Sequence, residues 1–81
     1  NIIKIMEMND FIALFAEQFD DTDASLFTAD TKFKDLDEWS SLIALSVISM
    51  VDEEYDVTLK GDDIRNASTV GDLFDVVKNK I

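Results

Sequence analysis

Asp35-Leu36-Asp37-Glu38-Trp39-Ser40-Ser41-Leu42 closes an acidic, loop-like segment and opens the most apolar helical run of the chain. Where this junction falls decides where the helices fall, and two serines, Ser40 and Ser41, sit on it. A serine at a helix start is ordinarily an N-cap, its hydroxyl accepting from an orphan amide of the first turn. The other reading is that one of the two hydroxyls carries an attached functional group.

Downstream of the junction, Leu42, Leu45, Ile48, Val51 and Tyr55 recur at spacings of three and four, which predicts a helix over 41–55. Ile43, Val47 and Met50 widen the stripe, so this helix is expected at the centre of the core. Asp52, Glu53, Glu54 and Asp56 crowd its C-terminal end, where the helix dipole favours cations. That placement suits either a partner surface or a solvated helix end. Val57-Thr58-Leu59 reads as extended and leads to a turn at Gly61 and a short helix over Gly61–Asn66. Ser68 or Thr69 is expected to cap the last helix, Thr69 with Asp72 three residues on resembling a capping box, and Val70, Leu73, Phe74, Val77 and Ile81 mark that helix, which ends in Lys78 and Lys80.

Upstream, Phe11, Ile12, Phe15 and Phe19 make one helical stripe, with Asn9 as the candidate N-cap. Between this first helix and Ser40 lies a long connection carrying Asp20, Asp21, Asp23 and Asp30, with Leu26, Phe27, Phe33 and Leu36 among them. A disordered loop has no use for four large apolar residues, so the loop is expected to be pinned to the core by them. A calcium-binding loop fails at its sixth position, Leu26 instead of Gly, and at its twelfth, Lys32 instead of Glu, so no metal site is expected.

These pieces predict an all-α fold: a small four-helix bundle with three main helices, a short third helix and a long loop between the first two. At 81 residues the chain is read as one domain over 1–81, with Ile2, Ile3 and Ile5 either extending the first helix or making 1–7 a frayed lead-in. The chain is 47% hydrophobic, enough for a core. Its 18 acidic and 7 basic residues give a formal net charge of -11. That balance argues against nucleic acid and an anionic membrane surface, and for a partner with a basic surface. There is no Cys and no His, which removes thiolate metal sites, a Cys nucleophile and the commonest general base. No span is long enough for a membrane helix, and the cytoplasm is the expected location.

Asp35-Leu36, Ser41-Leu42, Leu45, Val47, Ile48, Val51 and Asp52-Glu53-Glu54-Tyr55, followed by Ile64 and Ser68-Thr69-Val70-Gly71-Asp72-Leu73, resemble the acyl carrier protein family over about Met8 to Ile81. The resemblance implies 4'-phosphopantetheine, covalently attached through a phosphodiester at the serine that opens the second helix. It implies acyl groups carried as thioesters and delivered to enzymes of fatty acid, polyketide or related biosynthesis, with no catalysis by the chain itself. The partners it implies are a phosphopantetheinyl transferase and acyl-loading and acyl-processing enzymes with basic surfaces, and the state it implies is a monomer. Counting back from Glu54-Tyr55 puts Ser41 on the family's serine, with Ser40 the alternative. Asp35, Asp37, Glu38, Trp39, Leu42, Ile43, Asp52, Glu53 and Glu54 are the residues expected to meet partners. Leu45, Ile48, Val51, Ile64 and Phe74 are expected to line any cavity for a folded-back acyl chain, along with their ordinary role as core.

Two departures bear on partner choice. Ser40 stands where the family usually has Asp, and Ile43, Ala44 and Ser46 leave the first turns of the second helix neutral. Trp39 either anchors a partner or staples the loop to the helix. A dedicated carrier of a secondary pathway fits these departures better than a housekeeping fatty-acid carrier. Two other readings remain: a carrier of aminoacyl or peptidyl groups, and a small acidic helical adaptor without a prosthetic group.

Overall fold

The computed structural model describes residues 7–81, and every regular element among them is helical. α1 runs Met8–Ala16, α2 Ser41–Tyr55, α3 Gly61–Asn66 and α4 Val70–Lys80. Two 3-10 turns, Ala24–Leu26 and Phe33–Asp35, punctuate the long loop between α1 and α2. The apolar lead-in of Ile2, Ile3 and Ile5 lies outside the described residues. α1 starts at Met8, with Glu7 as an N-cap that makes no side-chain cap bond, so Asn9 lies inside the first turn and is not the cap.

None of these helices is long enough to stand alone in water, so packing must hold them. α1 supplies the spine. Phe11 meets Phe74 of α4 edge-on at 5.6 Å and Tyr55 of α2 at 6.1 Å. One turn on, Phe15 meets Phe33 at 5.3 Å and Phe27 at 6.0 Å, both from the loop. Phe19, just past the helix, packs on Phe27 at 4.8 Å and stacks on Trp39 at 6.3 Å. All the aromatic residues of the chain thus join one connected network, and such pairs add about 0.5–1.5 kcal/mol each beyond their burial. This network pins the long loop. Phe27 and Phe33 are buried and Leu36 packs against the core, while Leu26 is 60% exposed and takes no part.

α2 has the bounds its sequence predicts, but its buried face is not the expected stripe. Val47, Met50, Val51 and Tyr55 are buried, and Ile43, Ala44 and Ile48 pack against them. Leu42 and Leu45 are 76% and 60% exposed. The face against the core is turned by roughly 100°, one residue's worth of helix. Apolar residues occur on nearly every side of α2, so its own pattern permits several faces, and packing on α1 selects one.

α3 and α4 pack together, and α4 packs on α1. The Asp63 carboxylate accepts from the Lys60 amide at 3.0 Å ahead of α3 and pairs with Lys80 of α4 at 3.4 Å. The capping box of α4 forms as read: the Asp72 amide donates to the Thr69 hydroxyl at 3.0 Å, and the Thr69 amide to the Asp72 carboxylate at 3.1 Å. The first amides of α4 are taken by the loop, Val70 donating to the Thr31 carbonyl at 3.0 Å and Gly71 to that of Ala29 at 2.8 Å. A Cβ at position 71 would lie 3.0 Å from the Ala29 oxygen, a tight contact that would push the loop carbonyl back by a few tenths of an ångström. Val70, Leu73, Phe74 and Val77 are buried, whereas Ile81, read as part of the stripe, is exposed just past the helix end.

α2 ends on Asp56, the one non-glycine residue with positive φ (55°) among those described. A left-handed residue there favours glycine, and its charge adds to the acids already opposing the helix dipole. Asp56→Gly is expected to stabilise the fold by about 1 kcal/mol. Asp56→Asn, which tolerates the same backbone but drops the charge, should recover only a few tenths of that. Urea denaturation midpoints of the three proteins check this.

Candidate functional site

The site is built where the pinned loop enters α2. Ser40 is extended (φ -155°, ψ 172°) and is the N-cap of α2, its hydroxyl accepting from the Ile43 amide at 3.3 Å. Ser41 is the first residue of the helix and is exposed. Among the described residues nothing hydrogen-bonds its hydroxyl. The two serines therefore do different things: one holds the helix start, the other stands free on it. The first turn of α2 contains no acidic residue. The early amides of a helix lack intrahelical partners and its N-terminal end carries partial positive charge, so this turn is suited to an anionic group.

Trp39 does not project outward as a free anchor. Its ring is half-buried, edge-on to Phe33 at 4.9 Å and stacked near Phe19. Glu38, expected to face a partner, is engaged within the chain instead, turned back onto residues 20–22. Its carboxylate accepts from the backbone amides of Asp20 at 2.6 Å, Asp21 at 3.0 Å and Thr22 at 2.8 Å, and from the Thr22 hydroxyl at 2.7 Å. Orphan amides behind the end of α1 provide the physical reason, since a carboxylate is the strongest acceptor available to them.

The remaining partner candidates divide by exposure. Asp35, Asp37, Leu42, Asp52, Glu53 and Glu54 are exposed, and Ile43 is half-buried against the core. A groove of about 530 Å³ runs between the end of α1 and the outer side of α2, with Leu14, Leu42 and Leu45 in it and Glu17, Glu53 and Glu54 around it. The expected cavity lining does not form a single surface. Val51, Ile64 and Phe74 are buried in the core and Ile48 is half-buried, whereas Leu45 points away into the outer groove because of the rotation of α2. Among the described residues no group of three or more acids is arranged to hold a metal ion, and no helix is long and apolar enough to cross a membrane.

The Thr22 hydroxyl, with the amides of Asp20, Asp21 and Thr22, holds the Glu38 carboxyl below its ordinary value against the desolvation that would raise it. The amides of Ser68 and Thr69 do the same for Asp72. A folded-state value below the unfolded one means that the unfolded chain takes up the proton first as pH falls. The contribution of Glu38 is therefore complete above the ordinary glutamate value of 4.5 and is lost as pH drops through the lowered one. The melting temperature of the wild type should exceed that of Glu38→Gln at neutral pH, and the gap should close below 4.5. Thermal melts of both proteins across the acid range measure it, and a gap independent of pH would contradict it.

Searched against models of protein families and against curated proteins, the sequence finds no match.

Proposed function

We propose that this chain is a carrier: a small four-helix bundle of the acyl carrier type that bears 4'-phosphopantetheine on Ser41. The observation that carries the reading is the division of labour at the α2 start, where Ser40 takes the capping bond and the Ser41 hydroxyl is exposed, with no hydrogen bond among the described residues. The residues present fit the group. The first turn of α2 places no carboxylate against a phosphodiester, and its amides and dipole favour one. When bound, the arm supplies the thiol for thioester formation that a chain without cysteine lacks.

The chain's own residues bind, present and orient. Ser40 fixes the helix start, and Leu42 and Leu45 form an exposed apolar strip beside Ser41. Asp35 and Asp37 before this strip, and Asp52, Glu53 and Glu54 after it, are acids for a basic partner surface. The partners are a phosphopantetheinyl transferase and the acyl-loading and acyl-processing enzymes of a fatty acid, polyketide or related pathway. The carrier works as a cytoplasmic monomer and catalyses nothing. The neutral first turns of α2 favour a dedicated carrier of a secondary pathway, and the same chemistry would serve aminoacyl or peptidyl cargo.

A second reading rests on the groove between α1 and α2. Apolar residues rimmed by Glu17, Glu53 and Glu54 would suit a small acidic adaptor that takes a basic amphipathic helix. Intact mass after incubation with coenzyme A and a phosphopantetheinyl transferase separates the two. The carrier gains the mass of one arm; no gain with transferases of differing preference would leave the adaptor.

A further inference from the structure

Glu38 and Trp39 are adjacent in sequence, and both are fastened to the end of α1. Glu38 does it through hydrogen bonds to residues 16–18 positions earlier. Its Oε2 lies 2.6 Å from the Asp20 amide and 3.2 Å from that of Asp21. Its Oε1 lies 3.0 Å from the Asp21 amide, 2.8 Å from the Thr22 amide and 2.7 Å from the Thr22 hydroxyl. Successive amides converging on one carboxylate make an anion-binding nest, here filled from within the chain. Trp39 stacks on Phe19, which immediately precedes this turn. The next residue is the N-cap of α2, and the one after it is Ser41. The direction in which the chain enters α2 is thus set at residues 38 and 39. A carboxylate has about four lone-pair sites, and this one already accepts from four donors, so it has none to offer a partner while the clasp holds.

We propose that Glu38 is a positioning residue for the modification of Ser41. By clasping residues 20–22 it holds the entry to α2 in place and so fixes how the Ser41 hydroxyl is presented to a transferase. This rests on the reading of Ser41 as the attachment site. Misplacing a reacting hydroxyl by about 1 Å can cost two orders of magnitude in rate.

The test uses the whole chain, coenzyme A and a phosphopantetheinyl transferase that modifies the wild type, with Glu38→Gln, Thr22→Val and Thr22→Ser compared. Glu38→Gln keeps size and shape but turns one acceptor into a donor facing the amides. It should lower kcat/KM for arm transfer by about tenfold or more at a temperature where circular dichroism shows full helicity. Thr22→Val should fall in the same direction, and Thr22→Ser, which keeps the hydroxyl, should restore the rate. Amide exchange supplies a readout independent of any transferase: in Glu38→Gln the amides of 20–22 and of 40–42 should exchange faster. Wild-type rates in Glu38→Gln would overturn the proposal. So would a slow Glu38→Gln beside a fully active Thr22→Val, because the carboxylate would then be touching the transferase directly. Unchanged exchange in Glu38→Gln would overturn it as well, whatever the transfer rates. Failure of the wild type itself to take up the arm counts against the attachment reading, while exchange still reports on the clasp.

Discussion

Phe33→Ala is expected to destabilise the fold by about 3–5 kcal/mol, enough to leave much of the chain unfolded. Phe33 is fully buried, edge-on to Phe15 on one side and to Trp39 on the other. Removing its ring opens a cavity and breaks two of the aromatic contacts that tie the loop between α1 and the start of α2. A domain of this size buries a smaller share of its unfolded-chain surface than a larger one does, and its total stability lies toward the low end of the usual range. Leu26→Ala, in the same loop but at an exposed position, should change stability by no more than about 0.5 kcal/mol. Urea denaturation followed by circular dichroism gives both values. A Phe33→Ala protein within about 1 kcal/mol of wild type would mean that the loop is not pinned by its aromatic residues.

The second large effect is functional and separates the two serines. Ser41→Ala should abolish attachment of the arm while leaving stability nearly unchanged, because the hydroxyl is exposed and makes no hydrogen bond among the described residues. Ser40→Ala should show the opposite pattern. It removes the acceptor for the Ile43 amide and should cost about 0.5–1 kcal/mol, the lower part of the usual capping range, since the site is exposed and the bond is long at 3.3 Å. The Ser40→Ala protein should still accept the arm. Thermal melts and intact masses of both variants test the pair, and loss of the arm in Ser40→Ala alone would exchange the roles assigned to them.

Much of the helical layout was legible in the sequence because local chemistry writes it. The bounds of α2 and α3 and the Thr69–Asp72 capping box depend on neighbours a few residues apart, and each appears as read. Asn9 failed as a cap because helix ends are weakly specified: the chain enters α1 two residues earlier than a cap at Asn9 would allow, at Met8, without a side-chain cap. The face of α2 was not legible. Leu42 and Leu45 look as suitable for the core as Val47 and Met50, and only packing against other elements distinguishes them. The two 3-10 turns were missed because three-residue helices leave little periodicity to find.

At the site, the junction itself was legible, with a serine expected to cap the helix there, a role that Ser40 takes with Ser41 beside it. The role of Glu38 was not, since a contact spanning 16–18 residues has no periodic signature. Its only sequence trace is the run Asp20-Asp21-Thr22 just past α1, whose amides need an acceptor that the helix no longer provides. Trp39 could be read two ways from sequence, and its contacts with Phe33 and Phe19 favour the staple.

The most direct test of the central claim is to locate the modification. The wild-type chain would be loaded with coenzyme A and a phosphopantetheinyl transferase, digested, and the peptide spanning Trp39 to Leu42 fragmented in the mass spectrometer. The expected result is one 4'-phosphopantetheine per chain, on Ser41. An arm on Ser40, or no arm from any transferase tried, would contradict it.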